Sequence, residues 1–126
     1  MIPPFEAPDL ASQVEAMSET ERDALPYGII KLDAGGMVQV YSRTEATLSG
    51  RKKRPTVGRD FFAEVAPCMG GSPEMRGRVE AAKARGSVDI EIGWIGDFKD
   101  ADAEIRIRVM SAGDGGLWLF MNREAD

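Results

Sequence analysis

The sequence predicts an α+β domain, a five-stranded antiparallel sheet with helices packed on one face and a short helical cap at its N-terminus. Three observations carry this. Two short apolar runs flank an Ala34-Gly-Gly turn near the start, three longer runs close the chain, and Pro- and Gly-punctuated helical pieces lie between. The 126 residues suffice for one such domain with its own core.

The first nine residues hold three prolines and predict an irregular lead-in. Asp9 is positioned to cap a helix over 10–17, where Leu10, Val14 and Met17 form one apolar stripe. Ser18 followed by Glu21 has the pattern of a capping box, which starts a second short helix that Pro26 ends. Residues 1–26 thus read as a cap on the main fold, and 27–126 as the domain itself. A hairpin follows, with strands over 27–33 and 37–41. Ser42 caps a helix over 43–48, closed by Gly50, and Asp60 begins a helical turn through Val65 that Pro67 breaks. Met69 to Pro73 reads as loop, and Ser72 caps a helix ending at Gly86, with Met75, Val79 and Ala82 inward. Strands are expected over 88–95, 104–111 and 117–122. In the middle one Ile105, Ile107 and Val109 alternate with Glu104, Arg106 and Arg108, which predicts one buried face and one wet face.

Composition narrows the chemistry. The chain has no histidine and a single cysteine, Cys68, which leaves no His-based triad, no structural zinc set and no internal disulfide. A lone cysteine fits a reducing compartment, and no basic-then-apolar leader opens the chain, so a cytoplasmic location is expected. No apolar run approaches the ~20 residues needed to cross a bilayer. The net charge of −5 disfavours nucleic acid, and the short basic run Lys52-Lys53-Arg54 reads as a solvated loop. No membrane or nucleic-acid partner is expected.

Two stretches stand apart. Phe61-Phe-Ala-Glu-Val-Ala-Pro-Cys68 places the cysteine in an apolar run, where a small buried hydrophobe is the plain reading. Upstream, Tyr41, Glu45, Ser49 and Arg51 bring a phenol, a carboxyl, a hydroxyl and a guanidinium into little more than two helical turns. Taken singly, Glu45 reads as a surface carboxylate, Tyr41 as a strand-edge residue and Arg51 as a helix-end charge. Taken together, the stretches suggest a thiol-tethered ligand with a polar tail.

Gly28-Ile-Ile-Lys-Leu-Asp, Tyr41, Glu45, Gly50-Arg51, Val57-Gly58, the run from Asp60 to Cys68, Ser72-Pro-Glu74 and Trp118-Leu-Phe resemble the photoactive yellow protein family, small bacterial blue-light photoreceptors with a PAS fold. The resemblance covers about residues 22 to 123, and Phe-Phe-x-x-Val-Ala-Pro-Cys is its most specific part. It implies that Cys68 carries p-coumaric acid (4-hydroxycinnamic acid) as a thioester. It further implies that Tyr41 and Glu45 hydrogen-bond the phenolic oxygen, with Ser49 replacing the family's usual threonine and supporting Tyr41. Arg51 would lie over the ring as a gate, and Ile30, Phe61, Val65, Ala66 and Pro67 would form walls.

A buried phenolate needs donors, so Glu45 is expected as a neutral acid. The mechanism so implied is photoisomerisation, proton transfer from Glu45 and release of the N-terminal cap to a separate signalling protein, the receptor itself being a monomer or weak dimer. Gly93 and Gly96 stand where larger side chains are usual, and the 97–102 stretch is more acidic than expected, which predicts a looser, wetter pocket. The alternative is a PAS-type small-ligand or protein-interaction sensor without a covalent chromophore. An enzyme using Cys68 as nucleophile lacks a histidine base to activate the thiol.

Overall fold

Every strand in the fold is placed by its relation to the last one, Leu117–Arg123 (β5), which lies at the centre of the sheet. A computed structural model describes residues 2–51, 55–96 and 100–123. The other strands are β1 (Gly28–Leu32), β2 (Val38–Tyr41), β3 (Asp89–Ile95) and β4 (Glu104–Ser111), in the order β2-β1-β5-β4-β3, all antiparallel. This is the predicted α+β sheet. The β1–β2 turn is built as its residues dictate. Asp33 Oδ1 accepts from the amides of Gly35 and Met37 at 2.9 and 3.0 Å, and Gly36 takes the left-handed φ of 88°.

Because β-strand side chains alternate, β5 serves two cores. Leu117, Leu119 and Met121 face a cluster that includes Phe61, Val65, Met75 and Val79. Trp118 and Phe120 face a second cluster in which Phe5, Leu10, Val14 and Leu25 pack on Tyr27 and Ile29. The N-terminal segment, with helices α1 (Leu10–Glu15) and α2 (Glu19–Asp23), therefore covers the face opposite the central helices. Full burial of Leu10 and Val14 stabilises this layer by about 1.5–3 kcal/mol each. The capping box at Ser18 and Glu21 forms as expected. Asp9 does not cap α1; its carboxylate accepts from Gln13 Nε2 at 2.7 Å instead.

Three expectations need correction. Pro67 does not end structure but begins it, as the first residue of a one-turn helix, α4 (Pro67–Gly70), so Cys68 and Met69 are helical rather than partly in a loop. The segments Phe61–Val65 and Pro73–Gly77 are wide turns with i→i+5 bonds, such as Ala66 N to Phe61 O at 2.7 Å, and regular helix α5 spans only Arg78–Ala84. Arg108, expected on a wet face, is buried beneath the N-terminal segment. Its Nη1 donates to the carbonyls of Phe5 and Ala7 at 2.8 and 2.7 Å, and its Nη2 meets Asp89 at 3.1 Å. The basic run at 52–54 and the first part of the acidic stretch, 97–99, lie outside the described residues. No helix among the described residues is long and apolar enough to cross a membrane.

Replacing Arg108 by Leu removes a charged donor from two buried carbonyls. The expected loss is about 1.5–3 kcal/mol in a urea titration, with faster proteolysis ahead of Leu10. Unchanged proteolysis would mean that apolar packing alone holds the segment. Tyr27 gives a second check. Burial, and after it the charge of Glu6, pushes its phenol up to about 12, while its hydroxyl donates to Pro3 O at 2.8 Å. An unfolded tyrosine titrates near about 10. The unfolded chain then loses its proton first, so stability is full below pH ~10 and falls as pH rises toward 12. Tyr27→Phe should make that alkaline decline shallower.

Candidate functional site

The site begins with a serine. Ser42 Oγ accepts from the amide of Glu45 at 3.2 Å and from that of Ile29 at 3.0 Å, so one hydroxyl starts helix α3 (Arg43–Ser49) and ties it to β1. Glu45 and Ser49, four residues apart, share the buried face of α3, and Gly50 ends the helix in the left-handed region. Tyr41, the last residue of β2, meets Ser49 Oγ with its hydroxyl at 3.2 Å. On the other side, Asp60 caps the wide turn that leads into α4 and Cys68. Gly70 is required there, because a Cβ would run into the carbonyl of Phe62.

These elements enclose a cavity of about 550 Å³, of the size that holds small ligands. Every residue of the expected set lines it except Arg51. Cys68 is exposed as well as cavity-lining, so it stands where the cavity meets solvent. Ile30, Phe61, Val65 and Met121 make the walls largely apolar. Arg51, expected as the gate, is buried and turned elsewhere: its Nε donates to Thr56 Oγ1 at 2.6 Å and its Nη2 to Pro55 O at 2.9 Å. Its guanidinium satisfies a loop rather than the cavity.

The closed end contains a residue the sequence reading missed. Arg123 grips Glu45 with both nitrogens, Nη1 to Oε1 at 2.7 Å and Nη2 to Oε2 at 2.9 Å. A bidentate guanidinium pair is the geometry of an ionised carboxylate, whereas the sequence predicts a neutral Glu45 opposite a bound phenolate. Glu45 is buried and Arg123 partly buried, with side chains 3% and 13% exposed. Removing either partner alone breaks this charge pair, at a cost of about 3–5 kcal/mol. Burial, and next the Glu45 charge, raises the Tyr41 phenol well above its ordinary range, against smaller opposing effects of Ser49, Arg51 and Arg123. Tyr41 therefore remains a neutral hydroxyl. The missed signal was alternation. Leu117, Leu119, Met121 and Arg123 share one face of β5, and the strand was expected to stop one residue short. Trp94 and Gly96, the latter at φ 117°, line the cavity toward β3.

No family model matches the chain. It is 29% identical over 120 residues to the photoactive yellow protein of Halochromatium salexigens, covering 94% of this chain and 95% of that protein. To the photoactive yellow protein of Rhodobacter capsulatus it is 30% identical over 121 residues, covering 95% and 96%. The chain belongs to the photoactive yellow protein family. Among solved structures, the photoactive yellow protein domain of the sensor histidine kinase Ppr from Rhodospirillum centenum aligns with a TM-score of 0.75 and 34% identity, over 87% of this chain and 96% of that one. A PAS domain of an HTR-like protein from Haloarcula marismortui shares the fold alone, at TM-score 0.57 and 14% identity over 94% of this chain and 100% of that one. Within this photoactive yellow protein scaffold, room for the buried carboxylate comes from Gly28, where a Cβ would strike Glu45 Oε1.

Gly28→Ala should therefore push the Glu45 carboxylate off Arg123 and lower stability by about 1–3 kcal/mol in a denaturant titration. Gly93, whose Cβ would meet open space, supplies the control: Gly93→Ala should leave stability unchanged or slightly raised.

Proposed function

We propose that this member of the photoactive yellow protein family is a blue-light photoreceptor that holds p-coumaric acid as a thioester on Cys68. The observation that carries the reading is that the single cysteine and the Tyr41–Ser49–Glu45 group line one apolar cavity. The bound group supplies visible absorption and a double bond that light isomerises. The chain supplies the rest. Cys68, accessible at the mouth, attacks an activated acyl group as its thiolate. Ile30, Phe61, Val65, Ala66 and Pro67 keep water from the apolar part of the ligand. Tyr41, held by Ser49, offers a neutral donor to its hydroxyl end.

Glu45 passes on a proton only when it holds one, which requires Arg123 first to release its grip. A charge change at Glu45 has a route outward. Its helix is bonded through Arg43 N to Asp23 Oδ1 at 2.7 Å, and through Thr44 Oγ1 to the carbonyls of Asp23 and Leu25 at 3.0 and 2.8 Å. Those residues join α2 to β1, so strain in α3 loosens the N-terminal layer and bares the Trp118 face of the sheet to a separate signalling protein. The role is sensing, not catalysis. A second reading, a PAS-type sensor with a non-covalent small ligand, is favoured by the ion pair that already balances charge at the closed end.

Protein made alongside activated p-coumarate should gain the mass of one hydroxycinnamoyl group and an absorption band that bleaches under blue light, and Cys68→Ala should lose both. Loading without covalent mass gain favours the second reading. In the loaded protein Glu45→Gln should shift the colour titration and weaken the light-induced exposure of the N-terminal segment to protease. Identical behaviour in the two would remove Glu45 from the proton path.

A further inference from the structure

We propose that the open edge of β3 docks a second copy of this chain, antiparallel and centred on Ile92, so that two sheets join across a two-fold axis. The inference is independent of the photoreceptor reading. At the β2 edge of the sheet, the chain beyond α3 provides cover. Val38 N donates to Arg59 O at 2.9 Å, Gly58 N donates to Val38 O at 2.8 Å, and Met37 forms a bridge with Asp60. Among the described residues no strand lies beyond β3. Ser111 N donates to Val88 O and Gly96 N to Ala103 O, both at 2.9 Å, so the even-numbered residues of this regular ladder turn their backbone groups to β4. Asp89, Glu91, Gly93 and Ile95 turn theirs outward, and all four are exposed.

Proteins blunt such edges with lysine, proline, bulges or free charges. β3 has neither lysine nor proline, and its ladder runs unbroken over seven residues. Its two acids are held back toward β4, Glu91 by Arg106 at 3.0 and 3.1 Å and Asp89 by Arg108 at 3.1 Å. Ile95, 69% exposed, and the half-buried Ile90 and Trp94 leave apolar surface at the edge. Charge then selects the register. Outward groups must meet outward groups, so odd-numbered residues pair by hydrogen bonds across the axis. A centre at Glu91 sets that acid against its own copy, which is destabilising. A centre at Gly93 leaves Asp89 and Ile90 without partners in the facing strand. A centre at Ile92 pairs all seven residues: Glu91 faces Gly93, where a side chain would meet open space, Ile90 faces Trp94, and Asp89 faces Ile95. No like charges meet. Seven residues a side is well below the roughly 20–30 of a standard interface, which makes the dimer a weak one. Each copy spends its open edge in the pairing, so association stops at two.

Sedimentation velocity and amide hydrogen exchange test this between about 10 μM and 1 mM, the range in which small contacts associate. The parent should shift from monomer toward dimer, and the amides of Glu91, Gly93 and Ile95 should gain protection as concentration rises. A parent that stays monomeric, or a dimer in which those amides remain unprotected, overturns the proposal. Gly93→Lys, opposite Glu91 of the second copy, should move the midpoint about two- to thirty-fold lower in concentration, and Gly93→Glu should move it higher. Shifts in the same direction for both substitutions refute the register. Gly93→Pro removes an outward N–H and should abolish the dimer. Should that variant fail to fold, the lysine and glutamate variants still decide, because a Cβ at this position meets open space.

Discussion

A carboxylate taken out of water must find either a cation or a proton, and the architecture around Glu45 is arranged to meet that requirement. Gly28 leaves the space, Ser42 fixes the start of α3, and the final residue of β5 brings the guanidinium. None of these groups is close to the others in sequence. They meet because β1 and β5 pair in register, with Gly28 opposite Met121, two residues from Arg123. The pair therefore depends on long-range strand alignment, and a slip of one residue would turn Arg123 to the other face.

The same strand carries side chains into both cores of the sheet. Met121 and Arg123 look into the cavity while Trp118 and Phe120 support the N-terminal layer. Arg108, one strand over, binds that layer by its carbonyls rather than by its side chains. The contact thus sets where the backbone lies without depending on the identity of the residues it touches. Apolar burial supplies most of the adhesion and the guanidinium supplies the register.

Much of the fold was legible because period-two alternation and turn glycines are local signals. Ile105, Ile107 and Val109 announce the buried face of β4, and Asp33 to Gly36 announce a hairpin. The remainder was hidden for physical reasons. Alternation tells that Arg106 and Arg108 oppose the core, but it is silent about a second layer arriving from a distant part of the chain. A proline breaks one helix and begins another with equal ease, so Pro67 was read in the wrong sense. Phe61 to Val65 has a composition that suits an ordinary helical turn as well as the wider one it forms. At the cavity, the residues on β2, α3 and the approach to Cys68 could be assembled from the resemblance to a family. Arg123 could not, because it lies at the strand boundary that local pattern defines least sharply. Arg51 went astray because its partners, Thr56 and the Pro55 carbonyl, come from a loop whose path no periodicity encodes.

The two indoles of the chain occupy opposite sides of the sheet. Trp94 is half-buried on the cavity wall, whereas Trp118 is sealed beneath the N-terminal layer, stacked on Phe120 at 6.3 Å and crossed by the Arg22 guanidinium at 5.2 Å. Each ring senses the polarity of one compartment and is screened from the other by the backbone between them. Intrinsic fluorescence consequently separates events at the mouth of the cavity from lifting of the N-terminal layer: a soluble quencher reaches Trp94 before it reaches Trp118.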